Sequence, residues 1–150
     1  MDDLIKASKV AFASEYAFFI KAQFFHWNVE GSNFPQYHEL FGTIYEEVYG
    51  SIDTFAENIR KLGAYTPASF SRLSMLSEIP DETVVRPASD MMQELLVDSE
   101  KMCEMFKVVY NLADNAHEYG LSNFYAERQD AHRKHSWMLR ASSKWKHVIF

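Results

Sequence analysis

The sequence predicts an all-α protein, a four-helix bundle with a long crossover that carries a short helix. Apolar residues recur at steps of three and four over four long stretches, the pattern of helices that bury one face. Gly and Pro are scarce, five and four in 150 residues, and Pro67, Pro80 and Pro87 fall together between Ala64 and Pro87, where the helical pattern fails. With 47% hydrophobic residues the chain has apolar material for one core, so residues 1–150 are expected to form a single domain.

The first helix is expected from Asp2 or Asp3 to Asn28. Its acidic start suits the helix dipole, and Leu4, Ala7, Ala11, Phe18, Ala22 and Phe25 form its buried stripe. Phe19 and Ala22 precede His26 by seven and four residues, so the imidazole continues one side of this helix. A short loop marked by Gly31 and Pro35 leads to a second helix, whose stripe is Phe41, Ile44, Val48, Ile52, Phe55, Ile59 and Leu62. At about 100° per residue, His38, Gly42, Glu46, Tyr49, Asp53, Glu57 and Arg60 fall on a neighbouring stripe, so imidazole and carboxylate share a face.

Within the crossover, Leu73, Met75 and Leu76 suggest a short helix that caps an interface. A third helix is expected from Ser89 to His117, burying Met92, Leu95, Met102, Met105, Val109, Leu112 and Ala116, with the methionines as core filler. The last helix is expected from Leu121 to Lys146, with Phe124, Ala131, His135, Met138 and Trp145 spaced for burial. From Ala131 onward there are five Lys or Arg, three His and no acid. This matches a helix C-terminus to its dipole, and His132 and His135, with no acidic partner expected beside them, are not read as a metal pair.

The formal net charge of −6 argues against nonspecific affinity for phosphate backbones, so DNA binding is not expected. The single cysteine, Cys103, allows no intrachain disulfide and fits a reducing cytosol. The start Met1-Asp2-Asp3 lacks the basic and then apolar layout of a secretory signal, and no run of about 18 apolar residues exists to span a bilayer, so a soluble cytoplasmic protein is expected.

Fifteen residues separate His38 from Asp53, about 22 Å along one helix, too far to hold one ion together. Two copies packed antiparallel about a two-fold axis near Glu46 and Glu47 would bring His38 of one to the Asp53–Glu57 turn of the other. His26, twelve residues before His38, could join it from the same chain. Two imidazoles and two carboxylates suit a borderline metal such as Fe(II) or Zn(II), and redox chemistry favours iron. An intrachain di-iron site would use Glu-x-x-His on two helices, and that motif is absent.

The run His26-Trp27-Asn28-Val29-x-Gly31-x-x-Phe34-x-x-x-His38, followed by Asp53-x-x-Ala56-Glu57-x-Ile59-Arg60-x-Leu62-Gly63, resembles the Dps family of miniferritins. Glu127-Arg128, His132, Lys134 and Trp137-Met138-Leu139-Arg140 resemble that family's last helix. The resemblance implies a ferritin-like four-helix subunit, twelve of which form a hollow shell with ferroxidase sites at two-fold interfaces. Iron(II) would be oxidised there by hydrogen peroxide or oxygen and the ferric product stored inside, protecting against oxidative stress. His26 and His38 would be ligands from one subunit, Asp53 and Glu57 from its mate, with Trp27 beside the site. The sequence departs from the family at Gly42, where an aspartate is usual. Weaker metal binding, a water in the gap and recruitment of Glu46 are three consequences open at this point. A shell with weakened or absent ferroxidase activity is the alternative.

Overall fold

The computed structural model describes residues 1–143. Five helices follow in order: α1 (Asp2–Asn28), α2 (Phe34–Lys61), α3 (Phe70–Leu76), α4 (Ala88–Asn115) and α5 (Tyr119–Ser142). Helices α1 and α2 form one hairpin and α4 and α5 a second, with α1 also packed on α4 and α3 lying against α1. No strand occurs among the described residues. Trp145 and the expected end of the last helix at Lys146 lie outside them.

The α1–α2 turn follows from three residues. Val29 is buried and ends α1 in extended backbone. Gly31 then takes φ 121°, a left-handed value open to glycine, and the chain reverses. Pro35 belongs to the first turn of α2 rather than to the loop expected from the sequence, because its missing N–H would have no helical acceptor there. In the crossover, Ser69 caps α3 by accepting the Arg72 amide at 3.2 Å. Leu73 is buried beneath it, while Phe70 and Met75 are 88% and 70% exposed. The third helix stops at Asn115, two residues short of expectation, where His117 takes φ 61° and reverses the chain into α5.

The core is aromatic at its centre. Phe55 of α2 meets Phe12 edge-on with ring centroids 5.4 Å apart, and lies 5.6 Å from Tyr125 and 5.9 Å from Phe106. Tyr125 is fully buried and donates its hydroxyl to Ser8 Oγ at 2.6 Å. Burial pushes its phenol above the usual range.

The buried face of α5 differs from the sequence expectation. Phe124, Ala131 and Met138 are only half-buried, whereas Leu121, Tyr125, Arg128, His132, His135 and Leu139 face the core. The helix is turned this way because the polar middle of that face finds partners on α1 and α2. Glu15, with no exposed surface, accepts hydrogen bonds from Arg128 Nη2 at 3.1 Å and from His132 Nε2 at 2.6 Å. Arg128 also donates through Nη1 to Glu47 Oε2 at 2.6 Å, and His135 donates through Nε2 to Glu47 Oε1 at 2.8 Å. Ser99 of α4 closes on the same cluster, donating to the His132 carbonyl at 2.9 Å. A separate buried pair, Lys21 and Asp98 at 2.7 Å, joins α1 to α4.

Burial raises the carboxyls of Glu15 and Glu47, but the hydrogen bonds of His132, His135 and Arg128 and the positive charge beside them outweigh it. Glu15 is thereby lowered, and Glu47 is held at about 2. His135 is pushed below its ordinary value by burial and stays neutral, donating one N–H to Glu47.

Removing the guanidinium would leave Glu15 as a buried charge without its strong partner. Arg128→Met is expected to destabilise the fold by about 3–5 kcal/mol in urea unfolding at a fixed protomer concentration. A loss below about 1 kcal/mol would show that Glu15 is satisfied without it.

Acid should act in one direction. His135 is lowered from 6.5, so the unfolded chain takes up that proton first and stability falls as the pH drops below about 6.5. Glu47 is lowered from 4.5 to about 2, so its contribution is complete above 4.5 and is lost as the pH falls toward 2. Melting curves from pH 7 to pH 3 are expected to show a falling midpoint, with the upper part of the fall reduced in His135→Gln. A midpoint unchanged across this range would contradict the assignment.

Candidate metal centre

The α1–α2 hairpin brings two of the expected site residues together. His26 lies in the last turn of α1 and His38 in the second turn of α2. Their rings stack with centroids 3.8 Å apart and planes 15° from parallel. Each ring donates its Nδ1–H to the other residue's backbone carbonyl, at 2.6 Å from His26 to His38 and at 2.6 Å from His38 to His26. A carbonyl can only accept, so the pairing places a proton on each Nδ1 and leaves Nε2 as the nitrogen that can offer a lone pair. Each Nε2 keeps a free lone pair, and an N–H anchored on a carbonyl is the usual support of a metal-binding imidazole.

Aromatic rings bracket the pair. Phe34 stacks on His38 at 5.0 Å, and Tyr45 lies 5.2 Å from His26. Gly42 is buried beneath His26, where a Cβ would stand 2.9 Å from Cε1 and Nδ1 of the imidazole. Glu46, one turn on, is exposed.

Asp53 and Glu57 are exposed on α2. At about 1.5 Å per residue they lie about 22 and 28 Å along the helix from His38. The chain therefore divides the expected donors into a nitrogen half at one end of α2 and an oxygen half toward the other. Among the described residues, no three His, Cys, Asp or Glu side chains gather closely enough to hold a metal ion. Trp27 is 64% exposed beside His26. Tyr49, one turn before Asp53, is exposed too, as are Tyr65, Phe70 and Met75.

Residues 9–144 match the ferritin family through its ferritin-like domain. The DNA protection during starvation protein of Brevibacillus brevis is 31% identical over 123 residues, which cover 82% of this chain and 83% of that protein. The chain belongs to the Dps family. Among solved structures, antigen TpF1 from Treponema pallidum superposes with a TM-score of 0.91 at 27% identity, covering 95% of this chain and 92% of that one. The Dps protein of Vibrio cholerae O1, described as a member of a broad superfamily of ferritin-like diiron-carboxylate proteins, does so with a TM-score of 0.88 at 26% identity, covering 93% and 88%. The all-α, ferritin-like four-helix fold expected from the sequence is the fold of this Dps chain.

Sequence reasoning missed the ionic cluster inside this Dps bundle. It found no acidic partner for His132 and His135, because those partners, Glu15 and Glu47, come from α1 and α2. One signal was present: Glu15 stands four residues after Ala11 and three before Phe18, on the apolar stripe of α1. The Arg128 guanidinium lies between the two carboxylates and already supplies the positive charge there. No described helix is long and apolar enough to cross a membrane. Cys103 is buried, and burial pushes its thiol up.

Proposed function

We propose that this Dps chain oxidises Fe(II) at sites shared between paired subunits and stores the ferric product in a hollow homo-oligomeric shell of twelve. The observation that carries the reading is the reciprocal His26–His38 pair, which leaves an Nε2 lone pair on each of two stacked rings at one end of α2. Asp53 and Glu57 stand exposed on the same helix, out of reach in one chain. Antiparallel pairing of two α2 helices about a two-fold axis near Glu46 and Glu47 makes each half complete the other. His26 and His38 then ligate from one subunit and Asp53 and Glu57 from its mate, a nitrogen and oxygen set suited to Fe(II).

The exposed Tyr49, Tyr65, Phe70 and Met75 supply apolar surface that association would cover. The net charge of −6 favours cation uptake over contact with DNA. Iron is the substrate. Two Fe(II) ions give one electron each to hydrogen peroxide, which takes up two protons and leaves as two waters; oxygen is the alternative oxidant. Peroxide consumed in this two-electron way releases no hydroxyl radical, so in a reducing cytoplasm the shell protects against oxidative stress. Gly42 favours a second reading, a shell with a weakened site, because it contributes no carboxylate.

The test is anaerobic Fe(II) loading of the purified assembly followed by peroxide or air, with ferric absorbance as the readout. Rapid oxidation is expected in the wild type, reduced at least tenfold in both His38→Ala and Asp53→Ala, with the assembled mass unchanged by light scattering. Oxidation in the wild type no faster than in free solution would favour the second reading.

A further inference from the structure

We infer, on the metal-site reading above, that Glu46 and Tyr49 of α2 form a reciprocal carboxylate–phenol contact with a second copy of the chain, and that this contact sets the register in which two α2 helices pair. Along an antiparallel pair, each step forward on one helix is a step back on the other. His38 meeting Glu57 of the mate therefore also sets Gly42 against Asp53 and Glu46 against Tyr49. Side chains tilt toward the start of their own helix, which shifts every pair by the same amount. The two Glu46–Tyr49 pairs stand nearest the axis, where crossing helices approach most closely.

Charge disfavours the other registers that bring His38 to the Asp53–Glu57 turn. With His38 on Thr54, Glu46 meets its own copy; on Phe55 it meets Glu47; on Ala56, Glu47 meets its own copy. No Lys or Arg occurs between His38 and Arg60 to offset facing carboxylates. With His38 on Asp53, Glu46 meets position 45, where the Tyr45 ring lies 5.2 Å from His26 and 6.0 Å from Phe19 of its own chain. Only the Glu57 register offers Glu46 an exposed hydroxyl.

The single chain leaves both groups ready. Glu47 is engaged by Arg128 and His135, so Glu46 is the free carboxylate of the two. Tyr49 packs its ring 5.0 Å from Phe19, while 57% of the residue stays exposed. Gly50 beside it is exposed, and a Cβ there would meet nothing of its own chain within 4 Å. A glycine in mid-helix weakens the helix, and here it leaves room for a second backbone to come close. Each phenol then donates to a carboxylate of the other copy, two charge-assisted hydrogen bonds to an interface.

The experiment joins single cysteines across the interface. Glu46→Cys and Tyr49→Cys chains, both in a Cys103→Ser background, are assembled separately and as an equal mixture, then oxidised with oxidised glutathione. The mixture is expected to give at least about fivefold more disulfide-linked dimer than either chain alone. Linkage strongest in Glu46→Cys alone or in Tyr49→Cys alone would overturn the register. Tyr49→Phe keeps the ring and removes the hydroxyl, so the subunit concentration at half-assembly is expected to rise at least about tenfold. Glu46→Ala should do the same, and the double variant should be no worse than either. Assembly unchanged in Tyr49→Phe would overturn the contact even if the cysteine chains fail to fold. Iron oxidation lost in both His38→Ala and Asp53→Ala, with no preference for the mixed disulfide, would keep the metal-site reading and overturn the contact. The mixed disulfide with no His38-dependent oxidation in the wild type would support the contact and overturn that reading.

Discussion

Helix α2 is continuous over 28 residues, and its rise separates the imidazole end from the carboxylate end by more than 20 Å. No side-chain rotation in one chain closes that distance. The donors proposed on α2 could therefore meet only through a second helix running the other way, which a helix paired with its own copy about a two-fold axis would supply. The rest of the proposed site serves this constraint. The Gly31 turn delivers the end of α1 to the start of α2, the reciprocal hydrogen bonds hold the two rings together, and Gly42 lies beneath the nearer ring.

The ionic cluster in the bundle does a different job. Buried charges are costly to desolvate, and one carboxylate with no exposure would be hard to sustain alone. Glu15 is sustained by Arg128 and His132, and Arg128 reaches on to Glu47 at the edge of α2. Three helices are thereby held in one rotational setting, since a slip of α5 by a residue would part the guanidinium from both acids. Glu47 is partly exposed and stands next to Glu46, near the axis about which two α2 helices would pair. The cluster that sets the rotation of α5 thus also steadies the middle of the helix that carries the proposed site.

Much of this architecture was legible in the sequence because apolar periodicity reports burial directly. The stripe from Phe41 to Ile59 is buried as expected, and α3 forms around Leu73 in the crossover. The face of α5 was not legible. Its centre is Arg128, His132 and His135, and a residue's own polarity says nothing of partners that lie more than eighty positions away in the chain. The spacing of His26 and His38 placed them near each other. Their stacked pairing depends on backbone carbonyls, which leave no periodic trace. Gly42 read as a lost ligand in the sequence, and in the structure it lies under the His26 ring.

The most direct test of a shared site is complementation between two broken chains. His38→Ala and Asp53→Ala would be unfolded together in equal amounts and reassembled. Random pairing makes about half of the two-fold interfaces mixed. In a mixed interface one site carries both defects and the other carries neither. The account expects each variant alone to be inactive and the mixture to recover about a quarter of the wild-type oxidation rate. A mixture as inactive as its components would contradict it, because histidine and carboxylate would then belong to the same chain's site or to none.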